Sequence, residues 1–163
     1  MPRLRVSPWL AGTAVVVAGI GVIAYLILSS GSSGSSSGSP SATPDPRVAG
    51  LTPTATYTIQ AGGESADAYF QPSTVEAKAG DVIELVLENV GSVTHNLRVS
   101  GPNGEYDVDV SGDKGDDFEM PPNVVKPGET ERLVVKIDEP GSYPFRCDFH
   151  PLVQKGTLVL SEG

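Results

Sequence analysis

Hydrophobic and polar positions divide the chain into three zones. From Trp9 to Leu28 apolar and small residues run without a break, and no charged residue occurs between Arg5 and Asp45. Twenty residues at helical rise cover about 30 Å, the thickness of a bilayer's hydrocarbon core. Residues 1–28 are therefore predicted to hold a membrane-spanning helix. A cleaved secretory signal is the competing reading, but such a signal has an apolar core of roughly 7–15 residues and a small-x-small cleavage site. Here Tyr25-Leu26-Ile27-Leu28 leads straight into Ser29-Ser30. Arg3 and Arg5 precede the run, which sets the N-terminus in the cytoplasm and the remainder of the chain beyond the cytoplasmic membrane, in a single pass. Residues 29–50 are Gly/Ser-rich and then carry Pro40, Pro44 and Pro46. They are predicted to be a flexible linker with a root-mean-square span of roughly 25 Å.

From 51 to 163 the pattern changes to short β-branched and apolar runs punctuated by turns, which predicts a single all-β domain. Strands are expected at Thr54–Ile59, Thr74–Lys78, Val82–Asn89, Asn96–Ser100, Thr130–Ile137, Ser142–Cys147 and Gly156–Leu160. In Val82–Asn89, residues Ile83, Leu85 and Leu87 alternate against Val82, Glu84, Val86 and Glu88, and Leu133, Val135 and Ile137 share one face. Turns are expected at Gly80-Asp81, Gly101-Pro102-Asn103-Gly104, Pro127-Gly128 and Pro140-Gly141. A helical turn is conceivable only within Gly112–Pro122.

Charge narrows the function. The chain has 11 Lys and Arg against 20 Asp and Glu, a net charge of −9. This balance disfavours nucleic acid as a partner. Glu105, Asp107, Asp109, Asp113, Asp116, Asp117 and Glu119 cluster around a single Lys114. The plain reading is a solvated loop; the sharper one is an acidic docking face that steers a basic redox partner. Asp107-x-Asp109-x-Ser111-Gly112 matches half of a calcium loop, but Phe118 stands where a bidentate glutamate belongs.

The chemistry concentrates in Phe145-Arg146-Cys147-Asp148-Phe149-His150-Pro151-Leu152-Val153-Gln154. This stretch holds the only cysteine and one of two histidines; the other is His95. One thiolate and two imidazoles are the ligands of a trigonal blue-copper site, which a weak axial donor completes. Alternatives are a cysteine that serves as a small core hydrophobe, a zinc site, which more often has four strong ligands or an activated water, and a Cys–His nucleophile pair. One Cys and two His permit a single mononuclear centre with no open position for substrate. An electron carrier is expected in preference to an enzyme, and a copper storage or delivery module is the alternative.

These segments resemble the cupredoxins, the superfamily of plastocyanin, azurin and auracyanin. The resemblance is carried by Phe70-x-Pro72, Val75, Gly80-Asp81-Val82, His95-Asn96 and Pro127-Gly128-Glu129-Thr130. It is strongest in Pro140-Gly141-Ser142-Tyr143-x-Phe145-x-Cys147-x-x-His150-Pro151-x-x-Gln154-x-Gly156-Thr157-Leu158. It implies a Greek-key β-sandwich with one type 1 copper held by His95, Cys147 and His150, and a monomeric protein. Family members usually have methionine at the position of Gln154. Stellacyanin-like members use a glutamine oxygen there, so the resemblance makes Gln154 the axial ligand. It also makes Asn96 a residue that ties the two ligand segments together, as outer hydrogen bonds do in metal sites.

Overall fold

The computed structural model describes residues 45–107 and 115–163. The predicted membrane helix, linker residues 29–44, Asp109 and Asp113 lie outside the described residues. The described chain forms nine strands and no helix: β1 (Ala55–Gly62), β2 (Tyr69–Gln71), β3 (Thr74–Lys78), β4 (Ile83–Asn89), β5 (Arg98–Val99), β6 (Phe118–Glu119), β7 (Thr130–Val135), β8 (Gly141–Arg146) and β9 (Lys155–Ser161).

Two sheets result, ordered β2-β1-β4-β7 and β3-β9-β8-β5-β6. β1 runs parallel to β4 and β3 parallel to β9, while the other pairs are antiparallel. Both sheets feed one core. Ile59, Leu85, Leu87 and Leu133 come from the first, and Val99, Phe145 and Leu158 from the second. Phe70 and Phe145 meet edge-on across the layers, with ring centroids 5.4 Å apart. Ile83, Leu85 and Leu87 are fully buried as predicted; on the opposite face Glu84 and Glu88 are half-buried, but Val86 is covered too. Each fully buried side chain contributes about 1.5–3 kcal/mol of burial.

Two expectations change. The strand predicted for Asn96–Ser100 contracts to Arg98–Val99, because the residues before it bond elsewhere. His95 exchanges both backbone bonds with Val125, and the Asn96 N–H points at the Cys147 sulfur. Among the described residues, part of the predicted linker, residues 45–50, also packs against the domain. Val48 inserts into the core, and the Arg47 guanidinium lies 3.9 Å above the Phe118 ring. Arg47 also donates to the carbonyls of Asp116 and Asp117. A proline-containing stretch thus docks because one apolar and one cationic side chain find partners that its composition does not reveal.

Candidate metal centre

His95 sits in the turn between β4 and β5, pinned to Val125 by bonds of 3.1 and 2.9 Å. Gly91 leaves room for its ring: a Cβ there would lie 3.0 Å from His95 Nε2 and 2.9 Å from the Gly63 carbonyl. Cys147 follows β8 directly. The loop from Cys147 to β9 is closed by its own backbone: Cys147 N–H donates to Gln154 O (3.0 Å), His150 N–H to Cys147 O (3.1 Å) and Gln154 N–H to His150 O (3.0 Å). These bonds put the donors of Cys147, His150 and Gln154 on one concave side.

The structure brings all four predicted donors together. Cys147 Sγ is 3.5 Å from His150 Nδ1 and 4.0 Å from His95 Nδ1. Gln154 Oε1 is 2.8 Å from His95 Nδ1. Bonds of about 2.0–2.3 Å arranged trigonally around one ion separate the donors by about 3.5–3.8 Å. The Cys147–His150 separation matches that spacing, the Cys147–His95 separation exceeds it by a few tenths of an ångström, and all three donor atoms lie within 4.8 Å of one another. The Gln154 amide is oriented by its far end: Nε2 donates to the Tyr69 carbonyl at 2.8 Å, which leaves Oε1 facing His95.

Burial governs the protonation states. It pushes the Cys147 thiol above its ordinary value, against the lowering influence of the Asn96, Phe149 and His150 backbone N–H groups. It lowers His95, an effect opposed by the Gln154 hydrogen bond and reinforced by His150. His95 is thus neutral at pH 7, and its Nδ1 carries the proton that it donates to Gln154 Oε1; to ligate a metal through Nδ1 that proton must move to Nε2, and the thiol must shed its own. Thiolate, imidazole and amide oxygen together suit copper in both oxidation states.

Asn96 bridges the two ligand segments. Its side-chain oxygen accepts from the Asp148 N–H at 2.7 Å, and its own N–H points at Cys147 Sγ at 3.4 Å. Its amide nitrogen donates to Asn123 and Asp148. Sequence reasoning missed Asp148, which takes Arg98 Nε (2.9 Å) on one oxygen and Arg146 Nε (3.0 Å) on the other. The available signal was the alternation of polar Asn96 and Arg98 with apolar Leu97 and Val99 in and just before β5.

Two of the acidic cluster's described members turn inward. Asp117 is fully buried, its oxygens taken by the Gly101 N–H (3.2 Å) and by Arg98 (3.5 Å). Glu119 turns back to Arg98 at 3.2 Å. Asp107 accepts the Asp116 N–H at 2.7 Å. Of the cluster's described members, Glu105 and Asp107 are exposed. For Asp117 and Glu119 the cause is the buried Arg98 cation, which draws their carboxylates inward.

Around His150 the surface is apolar. Leu152 is 86% exposed and Phe149 49%, with Val153 beside them. A shallow hollow of about 450 Å³ lies among Ala66, Phe149, His150 and Leu152.

The family model for the cupredoxin-like domain matches residues 54–160. No curated protein matches the chain. Among solved structures, the fold is similar to auracyanin A, a "blue" copper protein from the green thermophilic photosynthetic bacterium Chloroflexus aurantiacus. That likeness has 21% identity and a TM-score of 0.50, and covers 65% of this chain and 99% of that one. Auracyanin B is similar at 18% identity and a TM-score of 0.51, over 76% of this chain and 96% of its own. At these identities the likeness is one of fold.

Proposed function

The chain belongs to the cupredoxin-like family, and from that premise we propose that it is a membrane-tethered, mononuclear type 1 copper protein. It carries single electrons between redox partner proteins outside the cytoplasmic membrane. The observation that carries this reading is the convergence of Cys147 Sγ, His95 Nδ1, His150 Nδ1 and Gln154 Oε1 in one closed, largely buried site. A bound copper ion supplies the one-electron Cu(II)/Cu(I) couple there.

The remaining roles belong to the protein. Cys147, His95 and His150 would hold the ion as the strong donors, and Gln154, its oxygen aimed inward by Tyr69, would be a fourth and weaker one. Asn96 holds the two ligand segments in register. Fully buried His95 and Cys147 exclude water, and a site closed by folding changes little between oxidation states. The half-buried His150, ringed by Phe149, Leu152 and Val153, is the exit for the electron. The apolar run at 9–28 serves as the anchor and the Gly/Ser/Pro segment as the tether, so that the domain searches the space beside the membrane. The net charge of −9 favours basic partners and an association that weakens with salt.

The test is the visible and EPR spectrum after one equivalent of Cu(II). We expect an intense thiolate-to-copper band, bleached by a mild reductant and absent in Cys147→Ser. A pale complex, or no stoichiometric binding, would remove electron transfer and leave copper delivery or a metal-free role. For the anchor, the protein should stay with membranes through a high-salt wash and be released by proteolysis within residues 29–44. Release by salt alone would overturn it.

A further inference from the structure

Arg98 is fully buried, next to the equally buried Asp117. Each of its three guanidinium nitrogens meets a different carboxylate: Nε meets Asp148 at 2.9 Å, Nη1 meets Asp117 at 3.5 Å and Nη2 meets Glu119 at 3.2 Å. Burial alone would lower its pKa, but the Asp148 hydrogen bond and the three carboxylate charges outweigh that and raise it, so the cation is permanent. Asp148 is gripped from the far side by Arg146, whose guanidinium lies 4.1 Å over the Tyr106 ring.

The position of this ion cluster is informative. Arg98 lies three residues after His95 on one ligand segment, and Asp148 directly follows Cys147 on the other. From Asp148 the bonding continues to Asn96 by two contacts, 2.7 and 3.2 Å, and from the Asn96 N–H to the Cys147 sulfur. Stability alone does not call for this arrangement, since well-packed apolar residues usually serve a core as well as a buried ion group does. Charge-assisted bonds do, however, add directional constraint.

We propose that Arg98 is a positioning residue for the metal ligands, acting through Asp148. Its three-pronged bonding, with Arg146 opposite, holds Asp148, and Asp148 sets Asn96 and the sulfur of Cys147 in place before any metal arrives. The inference rests on the copper reading of the site, but its central readout does not need copper. Lysine keeps the charge at position 98 but is a point charge without the planar fork. Asp148→Asn keeps the side chain's shape and removes its charge.

The test is amide hydrogen exchange of the full-length, metal-free protein. In Arg98→Lys and in Asp148→Asn, the Asn96 and Asp148 amides should exchange at least tenfold faster than in the wild type. The Tyr57 and Leu85 amides, in the opposite sheet, should stay within twofold. With Cu(II) added, both variants should also show a shifted thiolate band and a changed copper hyperfine splitting. Unchanged exchange at Asn96 and Asp148 would overturn the proposal. So would equal acceleration at Leu85, which would mark Arg98 as general support only. If Arg98→Lys does not fold, Asp148→Asn decides alone. A wild-type protein that lacks the thiolate band would sink the copper reading instead, and the exchange result would still judge the role of Arg98.

Discussion

The two histidines of the site occupy opposite environments although both offer Nδ1 to the same point. His95 is sealed: its ring fits a space cleared by Gly91, and its Nε2 is buried without a hydrogen-bond partner. His150 is half-exposed and sits among apolar side chains that face solvent. On the proposed copper reading, the inner wall sets the electronic properties of the centre, and the outer rim sets access to it. One loop of eight residues serves both, because its backbone bonds turn Cys147 and Gln154 inward and leave Phe149, Leu152 and Val153 outside.

Changes to the wall should alter the centre, and changes to the rim should alter only its traffic. The largest effect is expected for Cys147→Ser, which should abolish the thiolate band completely while the β-sheet circular dichroism persists. Next is Gly91→Ala. The new Cβ meets backbone at 2.9 Å and the His95 ring at 3.0 Å, so overpacking should lower unfolding stability by about 1–3 kcal/mol. Denaturant titration of the metal-free protein checks this, and an unchanged midpoint would show that the His95 wall is pliable.

Gln154→Met exchanges a hard amide oxygen for a soft thioether, which relieves Cu(II) of its stabilisation. The reduction potential should rise by at least about 59 mV, the amount that shifts a one-electron equilibrium tenfold. A potential that stays put or falls would exclude the Gln154 oxygen as a tuning ligand. At the rim, Leu152→Ser and Phe149→Ala should leave spectrum and potential unchanged while slowing electron self-exchange severalfold, as measured by NMR line broadening of mixed oxidation states. A spectral change would blur the division between wall and rim.

The smallest effect is one of pH. His95 is depressed in the folded protein, so the unfolded chain takes up its proton first. The stability it contributes is full above the unfolded value near 6.5 and is lost as pH falls through the depressed folded value. One proton limits this slope to about 1.4 kcal/mol per pH unit. Between pH 7 and 5 the metal-free wild type should lose more stability than His95→Asn, and equal losses would refute the assignment.

Much of this was readable from local pattern. Thr74–Lys78 and the strands from Thr130 onward follow from alternation and turn residues, whereas β2 and β6 are three and two residues long and too short to show a period. The Cys-x2-His spacing drew attention to the centre because its two donors share one tight loop. The orientation of Gln154 was hidden, since its amide is turned by the Tyr69 carbonyl, 85 positions away. The inward turn of Asp117 and Glu119 was equally hidden, because an acidic residue reads as a surface residue until its cation is located.

By itself, then, the sequence determined the β architecture, the donor types and the net charge, all of which depend on residue identity and on neighbours a few positions apart. Only the tertiary structure decided which histidine is sealed, which way Gln154 faces and that Arg98 lies beneath the ligand loop. Those outcomes depend on contacts between segments some 50 to 85 residues apart in the chain. Such contacts form only when the two sheets close, and no spacing along the chain encodes them.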